Sequence, residues 1–283
     1  MQERNYTIRV MTRQEVDIAV DWAAAEGWNP GLYDADCFTA ADPNGFLIGV
    51  LGDEPIAAVS AVRYGDSFGF LGFYLVKPEY RGSGYGFRIG TAGLAHLGGR
   101  TVGLDGVVAQ QDNYRKSGFI VAHRNIRYQG TGGGHLPADS RIAPLSTIPF
   151  DELCAYDRLL FPGDRRQFLR CWIDQPQSTG LGILRDRKLA GYGVLRRCRS
   201  GYKVGPLFAD TPEYAERLFL ALTSHAPEGV PIFLDVPAVN SAAVDLAMRH
   251  DMAPVFETAR MYLGKAPDLP MNRLYGVTTF ELG

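Results

Sequence analysis

The sequence predicts an α+β fold built twice, each copy a mixed, mostly antiparallel twisted sheet flanked by helices. Three observations predict it. The first half orders its elements as a helical start, an antiparallel meander, and then strand, glycine loop, helix, strand, helix, strand. The stretch Gly130-Thr131-Gly132-Gly133-Gly134 has almost no side chain with which to build a core and reads as a linker. Beyond it the landmarks return: Gly45 to Asp53 is echoed by Gly180 to Asp186, Pro78-Glu79-Tyr80 by Pro212-Glu213-Tyr214, Leu104-Asp105 by Leu234-Asp235, Asn113 by Asn240, and Arg127-Tyr128 by Met261-Tyr262. The lags fall between 127 and 134 residues, as a duplicated domain requires. The expected division is a first domain over residues 1–130, a glycine-rich linker over 131–144 and a second domain over 145–283.

In order along the chain, Thr7 to Val10 has the composition of a short strand. Thr12 followed by Glu15 is a capping-box signature, and Val16, Ala19, Val20, Ala23 and Ala24 keep helical spacing as far as Gly27. The loop Gly27-Trp28-Asn29-Pro30-Gly31 leads to a second short helix around Asp34, Asp36 and Phe38. Two apolar runs, Gly45 to Leu51 and Pro55 to Tyr64, joined at Gly52-Asp53-Glu54, read as a β-hairpin. A turn at Gly65-Asp66-Ser67 enters the apolar strand Phe70 to Val76, which Pro78 ends because proline cannot donate to a ladder. Then come Arg81-Gly82-Ser83-Gly84-Tyr85-Gly86, a helical pattern from Phe87, a strand over Val102 to Val108, a short helix from Asn113 capped by Gly118, and a strand from Ile120.

Strand, glycine-rich turn and helix N-terminus make an anion site. The first amides of a helix have no partner inside it, and glycines let the backbone close on a phosphate. The turn is not a Walker A, since no Gly-Lys-Ser/Thr follows, and its glycine spacing is not that of a Rossmann fingerprint. The run from Val76 to Gly86, with its Arg-x-x-Gly-x-Gly, resembles the pyrophosphate-binding motif of the GNAT acetyltransferase superfamily. Downstream, Asn113-Tyr114-Arg115-Lys116-Ser117-Gly118-Phe119 resembles the Tyr-x-Lys-x-Gly-Phe segment on the last helix of these enzymes. The second half lacks the glycine loop: Thr211 and Pro212 read as an ordinary N-cap and first helical position, and Glu213 makes an acidic helix start that disfavours a pyrophosphate. Its layout is similar to the degenerate C-terminal domain of a two-domain bacterial subgroup of the superfamily. The architecture so implied is a tandem of GNAT-like domains in which the first alone holds the cofactor.

The resemblance implies acetyl-CoA as co-substrate. Arg81, Gly82, Ser83, Gly84, Tyr85 and Gly86 would hold its pyrophosphate and the backbone of Leu75 and Val76 its pantetheine arm, while Gly72 would permit the strand to splay. Asn113 would bond the arm or else cap its helix. Tyr114 falls at the position of the usual general acid, and a phenol with pKa near ~10 suits donation to a departing thiolate; the alternative is a tyrosine packed on the helix face. In the superfamily the segment between the first two helices walls the acceptor pocket, which makes Trp28, Asn29, Asp34 and Asp36 candidate substrate contacts. Equally, Trp28 staples its loop to the core and the aspartates cap helix ends. Asp235 is expected to face a cleft between the halves, or to form a turn, and Phe161 to Arg166 to line that cleft or begin a solvated helix. The base stays open among Asp36, Glu79, Asp105, Asp235 and ordered water; His96 and His123 are isolated histidines. The implied reaction is acetyl transfer to a primary amine, tilted towards a small molecule or amino acid. An acyl-CoA sensor or scaffold, a protein-lysine acetyltransferase, and a longer acyl chain given room by Gly72, Gly90 and Gly93 remain alternatives.

Composition bounds the rest. A net charge of -2 and a pI near 6.2 leave no overall basic field for nucleic acid or an anionic membrane. No apolar run approaches the ~18 residues that span a bilayer and the N-terminus lacks a signal-peptide core, so cytoplasmic residence is expected, as a monomer or homodimer. Cys37, Cys154, Cys171 and Cys198 are scattered without a CxxC and read as reduced thiols; no metal site is expected.

Overall fold

The computed structural model describes residues 5–134 and 138–283. The first half runs β1 (Tyr6–Val10), α1 (Arg13–Ala25), α2 (Asp34–Ala41), β2 (Phe46–Leu51), β3 (Glu54–Tyr64), β4 (Phe68–Val76), α3 (Tyr85–Leu97), β5 (Thr101–Val107), α4 (Gln111–Lys116) and β6 (Ile120–Thr131). The second half repeats that order: β7 (Ile142–Pro144), α5 (Phe150–Arg158), α6 (Arg166–Asp174), β8 (Ser178–Arg185), β9 (Lys188–Arg197), β10 (Tyr202–Ala209), α7 (Pro212–Thr223), β11 (Pro231–Pro237), α8 (Ser241–Arg249) and β12 (Ala253–Leu263). A short β13 (Leu274–Gly276) follows. Local chemistry starts α1 where the sequence predicts, whereas α3 begins at Tyr85 and α4 at Gln111, two residues ahead of the expected starts. The Thr12 amide donates to Glu15 Oε2 at 2.8 Å while the Glu15 amide donates to Thr12 Oγ1 at 3.3 Å, completing the capping box of α1.

The strands form one continuous sheet in the order β1-β2-β3-β4-β5-β12-β6-β11-β10-β9-β8-β7, a palindrome of the repeat. At its centre the halves exchange their last strands: β12 lies against β5 of the first half, and β6 against β11 of the second. The boundary along the chain is therefore not a boundary in space. Gly130 and Thr131, expected to open the linker, instead finish β6 opposite Ile232 and Pro231, because backbone ladder bonds to β11 hold them without side chains. Ile142 to Pro144, also expected in the linker, form β7. Residues 135–137 of that linker lie outside the described residues.

Register puts Asp105 opposite Arg260 and Asp235 opposite Arg127. Arg260 donates to Asp105 through Nε at 2.9 Å and Nη2 at 2.7 Å; Arg127 donates to Asp235 through Nε at 2.6 Å and Nη2 at 2.8 Å. None of these side chains is more than 8% exposed. Each pair joins an aspartate of one half to an arginine on the strand supplied by the other, so one device, used twice, locks the exchange.

The equivalent helices α2 and α6 meet across the same axis. Phe38 stacks on Trp172 with ring centroids 6.2 Å apart, and Cys37 is joined to Cys171 by a disulfide with Cα atoms 5.1 Å apart, against the expectation of reduced thiols. Their separation of 134 residues is the lag of the repeat, so duplication itself brings the two positions together. Cys154 and Cys198 remain free. Thiol titration of the unfolded protein should therefore count two thiols before reduction and four after. Because the cross-link restricts a long stretch of unfolded chain, Cys171→Ser should lower stability by about 2–4 kcal/mol, read from denaturation midpoints. The segment Phe161 to Arg166 divides: Asp164 and Arg166 are exposed where α6 begins, while Phe161 and Arg165 turn into the core. Arg165 is buried and holds both Asp157 oxygens at 2.6 and 2.9 Å, and Phe161 packs edge-on to Tyr64 at 4.8 Å.

Candidate active site

β4 and β5 run parallel and pair from Phe68–Thr101 to Leu71–Leu104, and then separate. Beyond Leu71, β4 continues against β3 alone, leaving its other edge unpaired as far as Val76. The departure coincides with a bulge: Phe73 and Tyr74 together face Val59, and Phe73 takes a left-handed φ of 43°. A bulky residue held there is costly and must be over-determined by its surroundings. Phe73 is buried among Phe38 and Phe46. The distortion thus sits one residue beyond Gly72, which serves something else. A Cβ on Gly72 would lie 2.0 Å from the Glu281 carbonyl oxygen, so this glycine makes way for the chain near residue 281. Gly90 is likewise filled by the Tyr74 hydroxyl at 2.6 Å, and Gly93 by Leu71 and Val59 at 3.2 Å. The room that three glycines offer a longer acyl chain is taken up by packing.

At the end of β4 the backbone turns through Gly82 and Gly84, with left-handed φ of 77° and 83° and open space where side chains would stand. Arg81, Gly82, Ser83 and Gly84 are exposed, Tyr85 and Gly86 half-buried. Gly84 caps α3 without any side-chain bond, and the first turn carries no acid, so no side chain satisfies the leading amides or places negative charge beside them. Arg81 anchors the turn by donating Nε to the Val76 carbonyl at 2.9 Å, and its other end pairs with Glu26. The second half keeps neither feature. Its corresponding gap beyond Val204 is occupied by β13, which pairs with β10 at Leu207 and Phe208, and the Thr211 hydroxyl caps α7 ahead of Glu213.

Across the gap from β4 stands Tyr114 on α4, its ring 6.2 Å from that of Tyr74 and 6.1 Å from that of Phe119. Burial pushes its phenol well above the ordinary tyrosine range. Beside it opens a pocket built by both halves: Trp28, Phe73 and Tyr114 from the first, Phe256, Thr258 and Phe280 from the second. Arg127 sits behind three of these walls. Its Nη1 donates to the Trp28 carbonyl at 2.6 Å, and its guanidinium lies 4.9 and 5.6 Å from the Phe280 and Phe256 ring centroids.

The other candidates are placed elsewhere. Asn29 clamps the halves: its side chain exchanges two 2.9 Å bonds with the backbone of Ser200, and its carbonyl accepts from Lys203 at 3.0 Å. Asp34 is fully buried, accepting from the Gly31 amide at 2.7 Å and from Arg196 at 3.0 Å. Asp36 pairs with Arg13 at 2.6 Å and is exposed. Asp235 lies inside β11, spent on Arg127, so it neither forms a turn nor opens to a cleft. Asn113 is exposed and bonds Gln110 at 2.8 Å, Glu79 is exposed, Leu75 is buried and Val76 half-buried. Asp105 touches the pocket, but its side chain is 0% exposed. Burial and the nearby Arg260 lower His123 to about 4, so the ring is neutral at neutral pH. Phe256 and Thr258 escape sequence reading because only the strand exchange brings β12 beside β5, and Phe280 lies on the chain beyond β13.

Residues 13–119 match the model of the Acetyltransferase (GNAT) family, and residues 153–276 that of the Acetyltransferase (GNAT) domain. The chain is 31% identical to the holothin acyltransferase of Pseudoalteromonas sp. (strain SANK 73390), over 100% of this chain and 97% of that protein. The chain belongs to the GNAT acetyltransferase family. Solved structures carry the same tandem GNAT fold. A Pyrococcus horikoshii protein given a provisional acetyltransferase name superposes with a TM-score of 0.84 at 22% identity, over 100% of this chain and 97% of that one. A tandem GNAT protein from the clavulanic acid biosynthesis pathway superposes with a TM-score of 0.63 at 12% identity, over 93% of this chain and 100% of that one. Among the described residues of this GNAT protein, no helix is long and apolar enough to cross a membrane, and no group of three or more His, Cys, Asp or Glu side chains is placed to hold a metal.

Proposed function

We propose that this protein transfers an acetyl group from acetyl-CoA to the nitrogen of a small-molecule amine, with residues 1–130 carrying the chemistry and residues 145–283 completing the acceptor pocket. The observation that carries the reading is the succession along β4: Gly72 to Tyr74 line the pocket, the unpaired edge runs on to Val76, and the open glycine turn follows at once. The full-length likeness to an acyltransferase named for holothin supports an acceptor of that general kind.

Acetyl-CoA supplies the acyl group already activated as a thioester. The amides from Gly82 to Gly86 would bind its pyrophosphate, aided by the α3 dipole, with Arg81 turning from Glu26 towards the added charge. Leu75 and Val76 offer backbone groups to the amides of the pantetheine arm, and exposed Asn113 offers its side-chain amide from α4. As the amine nitrogen bonds to the carbonyl carbon and the C–S bond breaks, the Tyr114 hydroxyl delivers its proton to the departing sulfur; the acylated nitrogen gives up one proton to water, and water returns one to the phenolate. A pKa raised by burial keeps that phenol in its donating form across the neutral and mildly alkaline range. Arg81→Glu should weaken acetyl-CoA binding by at least about tenfold, and thiol release with an amine acceptor should fall with it. Wild-type protein that does not bind acetyl-CoA, or a variant that turns over undiminished, would overturn the assignment.

A further inference from the structure

The chemistry of the acceptor pocket is one-sided. Aromatic rings of Trp28, Phe73, Tyr74, Tyr114, Phe256 and Phe280 make up nearly half of its lining, and Gln110 adds a neutral amide. Among the described residues lining it, Asp105 bears the one carboxylate, and three donors already hold that group: Asn125 Nδ2 at 2.8 Å and Arg260 Nε at 2.9 Å on Oδ1, Arg260 Nη2 at 2.7 Å on Oδ2. Its counterpart Asp235 makes the same two-pronged bond to Arg127 away from the pocket walls, so the shared task of both aspartates is to hold the exchanged strands. An ammonium ion entering here would lose its water without gaining a free anion, at a cost of several kcal/mol. Cation–π attraction returns only about 0.5–2 kcal/mol, and Phe256 and Phe280 already carry the Arg127 guanidinium.

Thr258 presents the opposite case. It is 1% exposed and lines the pocket, yet its Oγ1 has no hydrogen-bond partner. A buried hydroxyl left so is costly until something bonds it.

We infer that the acceptor is a flat amine whose nitrogen is conjugated to its ring, so that it arrives uncharged at neutral pH, and that the far polar edge of this ring bonds Thr258. The inference rests on the acetyl-transfer reading and narrows it. Such a nitrogen needs no base before attack: its lone pair forms the N–C bond as the C–S bond breaks, the sulfur takes the Tyr114 proton, and the acylated nitrogen then releases its own proton to water.

Two isomers separate charge from size: para-toluidine is a neutral arylamine at neutral pH, benzylamine an ammonium ion. Binding of each to the full chain, followed by calorimetry without acetyl-CoA, should favour para-toluidine by at least about tenfold, and kcat/KM with acetyl-CoA should follow the same order. Para-aminobenzamide, which adds a polar edge, should bind more tightly still. Thr258→Val should erase that extra affinity and Thr258→Ser should retain it. Equal binding, preference for benzylamine, no binding of either isomer, or an amide advantage that survives Thr258→Val would overturn the inference. Failure to bind acetyl-CoA would sink the transfer reading alone, since the order of the isomers is measured without it.

Discussion

Replacing Arg127 by methionine is expected to lower the stability of the whole chain by about 3–5 kcal/mol, because it leaves the Asp235 carboxylate buried and unpaired. The neighbouring Lys203 cannot take over the role. Its Nζ is committed to the Asn29 carbonyl at 3.0 Å, and burial already lowers its pKa, so it is a weak source of compensating charge. The loss should appear as a shift in the urea midpoint with little change in slope, since the same surface is exposed on unfolding. The double replacement Arg127→Met with Asp235→Leu should recover most of it, because a buried ion pair exchanged for apolar residues of similar volume is often near neutral. A double-mutant cycle then isolates the coupling between strands β6 and β11. Arg260→Met should behave alike, through Asp105, and should also disturb the pocket floor. A single variant as stable as the parent would mean that the ladder alone holds the exchange.

The element order was legible because each element announces itself locally. The Thr12 and Glu15 pattern starts α1, Pro78 ends β4, and the glycines at positions 82 and 84 stand where the backbone takes a positive φ. The repeat was legible too, since five landmarks recur at lags between 127 and 134 residues. What the sequence does not announce is which strand lies beside which. A half that folded alone would set β6 beside β5, and nothing local distinguishes that pairing from the exchange observed. What the exchange decides is therefore hidden from a local reading. Asp235 reads as a cleft or turn residue and is the partner of Arg127; Gly130 reads as linker and lies in a shared strand; Phe256 and Thr258 carry no signal of their own and wall the pocket from β12. The disulfide does leave a trace in the sequence: Cys37 and Cys171 are 134 residues apart, within the range of the repeat lags. Trp28 lies on a pocket wall, whereas Asn29 and Asp34, near it in sequence, bond the other half.

Tyr114→Phe is expected to reduce kcat by about 10²-fold or more, the low end of what a positioned general acid contributes, while leaving acetyl-CoA affinity nearly unchanged. The split between the two quantities is the informative part. The ring packs on Tyr74, Phe119 and Gly106, and phenylalanine keeps all of those contacts, so neither α4 nor the walls of the gap should move. Only the hydroxyl is lost, and its proton matters only as the C–S bond breaks. The pH dependence tests the same assignment from another side. A phenol donates while protonated, and burial raises its pKa, so kcat should show no alkaline fall centred on the ordinary tyrosine value near ~10. If Tyr114→Phe instead weakened acetyl-CoA binding and kcat together, the hydroxyl would be a binding group of the cofactor arm. The proton for sulfur would then have to reach it from water, and the tyrosine would owe its position to packing against Tyr74.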